Sequence, residues 1–417
     1  MRVIRPHTIA IALCLILIGF SLINPNDYSI KIGEINYMYK NLNYYSYMIL
    51  CTLVFCLGSV FSAIIFKRYK YEYFNPNKMV ILSIGSIGIT ISLVKMLFLY
   101  LNFGFSKIFA SYGGTEAGYL VKDDLNEVIA GGKIGWITDA SIIVLIVLIW
   151  LSVNKKDKYA KLLLLANLLL FILISLISLS RDAIISVIIS YIFIYLSSIS
   201  GGVFRVLKKY IISILAAATL FAAFFVIVDS ARNGLDRTNE TITQIYGYFP
   251  ASVNRGAAIY DGELVYPNHN SGYYSTQFIW DFPILSSALK LPQIARSYGL
   301  NIPLRPEDNW TNQFKAVRSY GLNQKYIWAT IFGFVYADFG NLGVIYFLIY
   351  GILCGLFYRL YKSGSVFGII MYTFSVITIA KWGSIISFSQ RTILIGLIIA
   401  FLLHMVTVIK IKTKRVV

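Results

Sequence analysis

Apolar residues come along this chain in long, nearly continuous runs separated by short polar clusters, with no strict two-residue alternation. Each run approaches the roughly 20 residues that a helix needs to cross a bilayer core about 30 Å thick. The pattern predicts spans at 8–23, 45–66, 79–101 and 134–153. The apolar stretch 162–200 is too long for one crossing at about 1.5 Å per residue. It predicts a hairpin of two spans whose only charges, Arg181 and Asp182, fall at the turn. A seventh span at 210–228 opens into the one long polar segment of the chain. Beyond it come an interfacial or partly inserted helix in "YIWATIFGFVYADFG" and spans at 342–358, 366–381 and 392–409.

Three regions follow: 1–228 with spans one to seven, 229–326 as a long outer loop, and 327–417 with the interfacial helix and spans eight to ten. The expected fold class is an all-α polytopic integral membrane protein of about ten transmembrane helices. Transmembrane barrels read as alternating segments of about ten residues instead. Mean hydropathy is +0.70. Only 13% of residues are charged, against about a quarter in soluble domains.

The net charge of +18 is a matter of orientation before it is one of binding, and it implies no nucleic-acid partner. Basic clusters lie at Arg2/Arg5, Lys67–Lys78, Lys155–Lys161, Arg205–Lys209, Arg359/Lys362 and Lys410–Arg415, accompanied by only two acids, Glu72 and Asp157. With ten alternating spans every one of these clusters lands on the same side. Under the positive-inside rule that side is cytoplasmic, as are both termini. The N-terminus lacks a clear small-residue cleavage site after its apolar run and is expected to stay as the first helix. Cys14, Cys51, Cys56 and Cys354 all sit in apolar runs, without disulfide or metal spacing.

A polar segment as long as 229–326 is more than a connection needs, and its residue types suit work on sugars and phosphates. Arg232, Arg255, Arg305 and Arg318 lie in it, and Arg181 stands at the neighbouring hairpin turn. Guanidinium binds phosphate through a planar fork and stays charged at any working pH. Arg181 is either functional at that depth, paired with Asp182, or snorkelling to the interface. His269 is either a general base or a neutral surface residue, and Glu263 and Asp308 are the carboxylates that could take the same role. Tyr246, Tyr248, Tyr266, Tyr273, Tyr274, Trp280 and Trp310 suit either sugar stacking or an interfacial aromatic belt. The outer loop has no G-x-S-x-G, P-loop, zinc-ligand spacing or paired metal carboxylates. Lys95 and Asp139 are the main isolated charges within the spans, too few to indicate a proton relay.

The segments "SLSRDAIISVIISYIF" and "YIWATIFGFVYADFGNLGVIYFLIYGILCGLFYR", with the long loop after span seven, resemble the bacterial oligosaccharide repeat-unit polymerases, the O-antigen polymerase (Wzy) family. The composition, rich in isoleucine, lysine, asparagine and tyrosine, is similar to that of proteins from AT-rich surface-polysaccharide gene clusters. The resemblance implies a GT-C-like glycosyltransferase of the bacterial inner (plasma) membrane that works without a metal or other cofactor. Its substrates would be donor and acceptor glycans carried on undecaprenyl pyrophosphate, joined at the periplasmic face. A chain-length regulator and a flippase of the same pathway are the implied partners. By position Arg181, Arg255 and Arg318 resemble the family's outer arginines, and His269 resembles the histidine of the related O-antigen ligases. An O-antigen ligase, a lipid-linked oligosaccharide flippase and a membrane O-acyltransferase are the competing readings. The long loop and the number of spans weigh against a flippase.

Overall fold

The computed structural model describes residues 3–66, 73–110, 135–177, 181–198, 238–282, 284–324, 326–385 and 387–414. Among them the chain is all helix and turn. The N-terminal part comprises α1 (Pro6–Gly19), α2 (Pro25–Ile32), α3 (Leu42–Ile65) and α4 (Lys78–Ala110). Next come α5 (Gly135–Trp150), α6 (Lys158–Ile177) and α7 (Arg181–Ser198). The polar segment holds α8 (Thr238–Tyr260), the single turn α9 (Gln277–Trp280), α10 (Leu291–Ser297) and α11 (Pro306–Ser319). It is followed by α12 (Ile331–Phe339), α13 (Gly343–Lys362), α14 (Val366–Ala380) and α15 (Arg391–Lys414).

Among the described residues four stretches are long and apolar enough to cross a membrane: Leu42–Ser62, Lys78–Asn102, Lys158–Ile177 and Ile331–Lys362. A fifth becomes possible if α1 with its terminal turn and α2, bent by 95° at a break, form one span. Shorter apolar helices cover Asp182–Ser198, Val366–Ala380 and Arg391–Met405. Leucines such as Leu53 and Leu57 on α3, Leu97 on α4 and Leu165 and Leu169 on α6 turn outward with more than half their surface uncovered. A soluble bundle would put polar residues there; lipid makes these positions favourable.

Several elements depart from the simple span pattern for local reasons. The first span stops at Gly19, and Pro25 starts a separate helix whose N-terminus is capped by the Asn24 side chain. A proline at the first helical turn favours such a new start. The stretch 162–200 is indeed two helices, α6 and α7, with only residues 178–180 between them. The expected span at 210–228 lies outside the described residues. The helix expected to be interfacial or partly inserted, α12, is covered by other parts of the protein, with Ile331 to Val335, Ala337 and Asp338 all buried, and it opens the candidate span Ile331–Lys362.

Two apolar clusters organise the molecule. One joins α1–α3 and α13 to α8, α12 and the loops of the polar segment, and the other joins α4–α7 to α13–α15. Among the described residues α3 and α13 share the most extensive helix contact. A Cβ at Gly351 would overlap the Phe55 carbonyl, and one at Gly355 would overlap Ser62 and the Ser59 carbonyl. This spacing of two glycines with three residues between them lets backbones touch, which is how helices associate where lipid removes the hydrophobic drive.

Candidate functional site

The polar segment folds as a cap, and its attachment begins with a carboxylate on the short link between α2 and α3. Glu34 and Arg255 form a fork-to-fork ion pair, with Nη1 at 3.0 Å from Oε1 and Nη2 at 2.8 Å from Oε2. Both side chains are wholly shielded from solvent. Tyr28 and Asn254 also donate to Oε1, and the Asn323 amide donates to Oε2 at 2.7 Å. Five donors fill the acceptor capacity of one carboxylate, which is what makes a buried charge tolerable. Asn254 in turn accepts from the amides of Tyr37 and Met38. Arg255, expected to face outward as a phosphate ligand, is therefore an internal clasp. It lies inward because α8 turns this face onto Glu34 and Asn323.

Nearby, Asn41 donates to the Asp261 carboxylate at 2.7 Å. Partial burial raises the Asp261 carboxyl above its ordinary value, the Asn41 bond opposes this, and the neighbouring Glu263 adds to it. Tyr266, Tyr273 and Tyr274 are buried core residues, neither sugar platforms nor an interfacial belt. The Tyr266 hydroxyl donates to the Ile327 carbonyl, and Tyr274 packs on Phe334.

Groups proposed for chemistry in the cap are spread over its surface. His269, Glu263, Asp308, Arg305 and Arg318 are exposed. His269 Nδ1 lies 3.2 Å from the Tyr266 carbonyl. Buried Asn268 donates to Asn309 at 2.6 Å, so the segments carrying His269 and Asp308 adjoin. Trp310, 40% exposed, stacks edge-on against Trp328 one residue beyond that junction. Trp280, by contrast, is half-buried and donates to Thr276. Arg305 precedes α11 and Arg318 occupies its last turn, about 20 Å apart along the axis at 1.5 Å per residue. Arg232 lies outside the described residues, and the Arg181 backbone begins α7.

A second set of charges gathers beneath the cap, at the ends of α5, α7, α14 and α15, with Lys95 from within α4. Lys381, just after α14, contacts Asp182 Oδ2 and Ser186 Oγ on α7, each at 2.8 Å. Arg391, the first residue of α15, donates from Nε to Asp139 on α5 at 3.0 Å, and Thr392 donates to the other oxygen of Asp139. Lys95 of α4 lies within electrostatic reach of Asp139. Five helices that pack on one another thus bring three cations to two carboxylates. Arg181 stands next to one of them in the chain. The cap touches this end where Ser389 donates to the Tyr274 carbonyl, and α12 joins it where the Ile331 amide donates to the Trp382 carbonyl.

No protein-family model, curated protein or solved structure matches this chain.

The buried half of this set is costly unless paired, and it is paired. Lys381 is buried while its partner Asp182 is 63% exposed, so the pair opens outward. Lys381 in such a pair can also be shared with an anion that reaches the open side. No group of three or more His, Cys, Asp or Glu suited to a metal ion occurs among the described residues. Sequence reasoning did not single out Lys381, Arg391 or Glu34. The first two carry the signal that marked Arg181, charge at the end of an apolar helix. Glu34 carries none, because its partner is 221 residues away.

Proposed function

We propose that this protein is a membrane glycosyltransferase that polymerises oligosaccharide repeat units carried on undecaprenyl pyrophosphate. It would work at the periplasmic face of a bacterial inner membrane, in a chain of about ten spans with both termini cytoplasmic. The observation that carries this reading is the pair of cations Lys381 and Arg391 where four apolar helices, α5, α7, α14 and α15, end under a polar cap, with Lys95 of α4 within electrostatic reach of Asp139. A lipid-linked diphosphate has its anchor in the bilayer and its charge at such a boundary, so it would meet these groups without leaving the membrane.

In the reaction a hydroxyl oxygen of the acceptor glycan attacks the anomeric carbon of the donor glycan. The new glycosidic bond forms as the bond from that carbon to the pyrophosphate oxygen breaks. Undecaprenyl pyrophosphate leaves with the electron pair, and the hydroxyl proton passes to a base. Cations fixed where negative charge grows stabilise the transition state more than the ground state. Lys381, Arg391 and Arg181 would serve the leaving diphosphate. His269 or Asp308 would take the proton, and Trp310 beside them would stack a sugar ring. Arg255 serves this scheme only by holding the cap in place.

Deletion of the gene, with surface polysaccharide separated on a gel, tests the reading. Loss of a polymerase leaves core bearing a single repeat unit. Bare core would point to a ligase or a flippase, and an unchanged ladder would remove the proposal.

A further inference from the structure

A part of the cap with no share in the proposed chemistry has the make-up of a membrane-surface element. From Phe282 to Pro306 the sequence has no acidic residue and three basic ones, Lys290, Arg296 and Arg305. Within it Leu289, Ile294, Tyr298, Leu300 and Leu304 are 42% to 82% exposed, Tyr298 most of all. One short helix and its flanking turns hold them together. The Arg296 Nε donates to the Ile302 carbonyl at 2.6 Å, which folds the Tyr298–Leu300 turn back beside the helix. Uncovered apolar side chains this close together normally mark a binding surface.

The occupant follows from position and charge. The segment leaves the bundle where α9 packs on α15 and Phe282 packs on the apolar cluster of the membrane-type helices. It therefore starts at the rim of the bundle, level with the helix ends that carry Lys381 and Arg391. Apolar residues flanked by Lys and Arg, without acids, match the boundary between acyl chains and anionic headgroups. We propose that residues 284–304 lie on an anionic phospholipid surface, inserting Ile294, Tyr298 and Leu300, and so tether the cap's free side to the bilayer. Glu34–Arg255 holds the other side, on the α2–α3 link. This tether is independent of which reaction the protein catalyses.

The test uses full-length protein reconstituted in vesicles of phosphatidylethanolamine and phosphatidylglycerol. Ile294→Cys and Tyr298→Cys each carry an environment-sensitive fluorophore, with Lys315→Cys, exposed on α11, as the control. Cys14, Cys51 and Cys354 are buried and Cys56 partly so, which favours labelling at the introduced sites. The expected result is a blue-shifted emission at 294 and 298, quenched by lipids brominated near the headgroup, and neither effect at 315. Replacing phosphatidylglycerol by phosphatidylcholine should reduce the shift, and Lys290→Gln with Arg296→Gln should abolish its dependence on anionic lipid. Emission at 294 and 298 matching that at 315 overturns the proposal. A blue shift that brominated lipid does not quench also overturns it, since it means contact with protein; if the shift then falls with dilution in lipid, the contact is a second copy of the chain.

Discussion

Glu34 and Arg255, 221 residues apart in the chain, meet as a two-pronged ion pair sealed from solvent on both sides. Each prong is a charge-assisted hydrogen bond, and Tyr28, Asn254 and Asn323 complete the carboxylate's shell. The pair ties the cap to the link between α2 and α3, so its loss should loosen the cap before it disturbs the membrane helices.

Removing one partner of such a pair leaves an uncompensated buried charge, which costs about 3–5 kcal/mol. Arg255→Ala and Glu34→Ala should each lower the protein's thermal midpoint in detergent and expose the cap to trypsin. The double variant should be less damaged than the sum of the two, because neither orphan charge remains. Additive losses would mean that the two side chains are not coupled.

Asp261 allows a test by pH. Its carboxyl is raised by partial burial, so the ionised form is disfavoured in the folded state. The sign follows: the folded protein binds the proton more tightly than the unfolded chain, and stability falls as pH rises through that interval. The cost is absent below the unfolded value and complete above the folded one. Asp261→Asn, which can keep a hydrogen bond to Asn41, should therefore be no less stable than the parent at neutral pH. Exposure of Asp261 keeps the gain small. A clear loss of stability at neutral pH would show that the charge itself is needed.

Gly351 and Gly355 define the contact of α13 with α3. Gly351→Leu or Gly355→Val would force the helices apart, remove van der Waals packing along their length and strand Ser59 and Ser62 against side chains. The expected outcome is a large drop in folded protein recovered from membranes, measured by size-exclusion chromatography. Leu57→Ala, on the lipid-facing side of α3, should be tolerated by comparison. Equal recovery of all three variants would refute the close-contact account.

In the proposed reaction His269 and Asp308 are the two candidates for the base. A general base contributes about 10²–10⁴ in rate, so alanine at the true base should abolish long polysaccharide chains while leaving protein level unchanged. The other substitution should have little effect. Wild-type ladders from both variants would remove this pair from the mechanism.

The helical class of the chain and the two-helix nature of 162–200 were legible because apolar run length and charge are local properties. Contacts across the sequence were not. Glu34 looks like any acid in a polar turn, and nothing near it announces Arg255. Tyr266, Tyr273 and Tyr274 read as surface aromatics because they sit among polar residues, yet the cap is thick enough to enclose them. The protein partners that cover α12 were hidden for a related reason: an apolar helix next to a polar loop has the same sequence whichever neighbours enclose it. Periodicity reports which faces are apolar and says nothing of which partner covers them.

Lys381 and Arg391 offer the sharpest test of the proposed chemistry, because their two pairs separate a structural from an anion-binding role. If Lys381 only ties α14 to Asp182 and Ser186 of α7, Lys381→Ala leaves the 63%-exposed Asp182 solvated, and Lys381→Ala with Asp182→Asn should keep activity at matched protein level. If Lys381 serves the leaving diphosphate, the double variant folds but loses activity. Losing one such donor costs on the order of 3 kcal/mol, or about a hundredfold in rate. The same logic applies to Arg391→Ala with Asp139→Asn. Polysaccharide chain length in cells, read at matched protein level, should collapse to short products in both double variants. Full-length ladders in both would confine these cations to holding helices together and leave the diphosphate without its site.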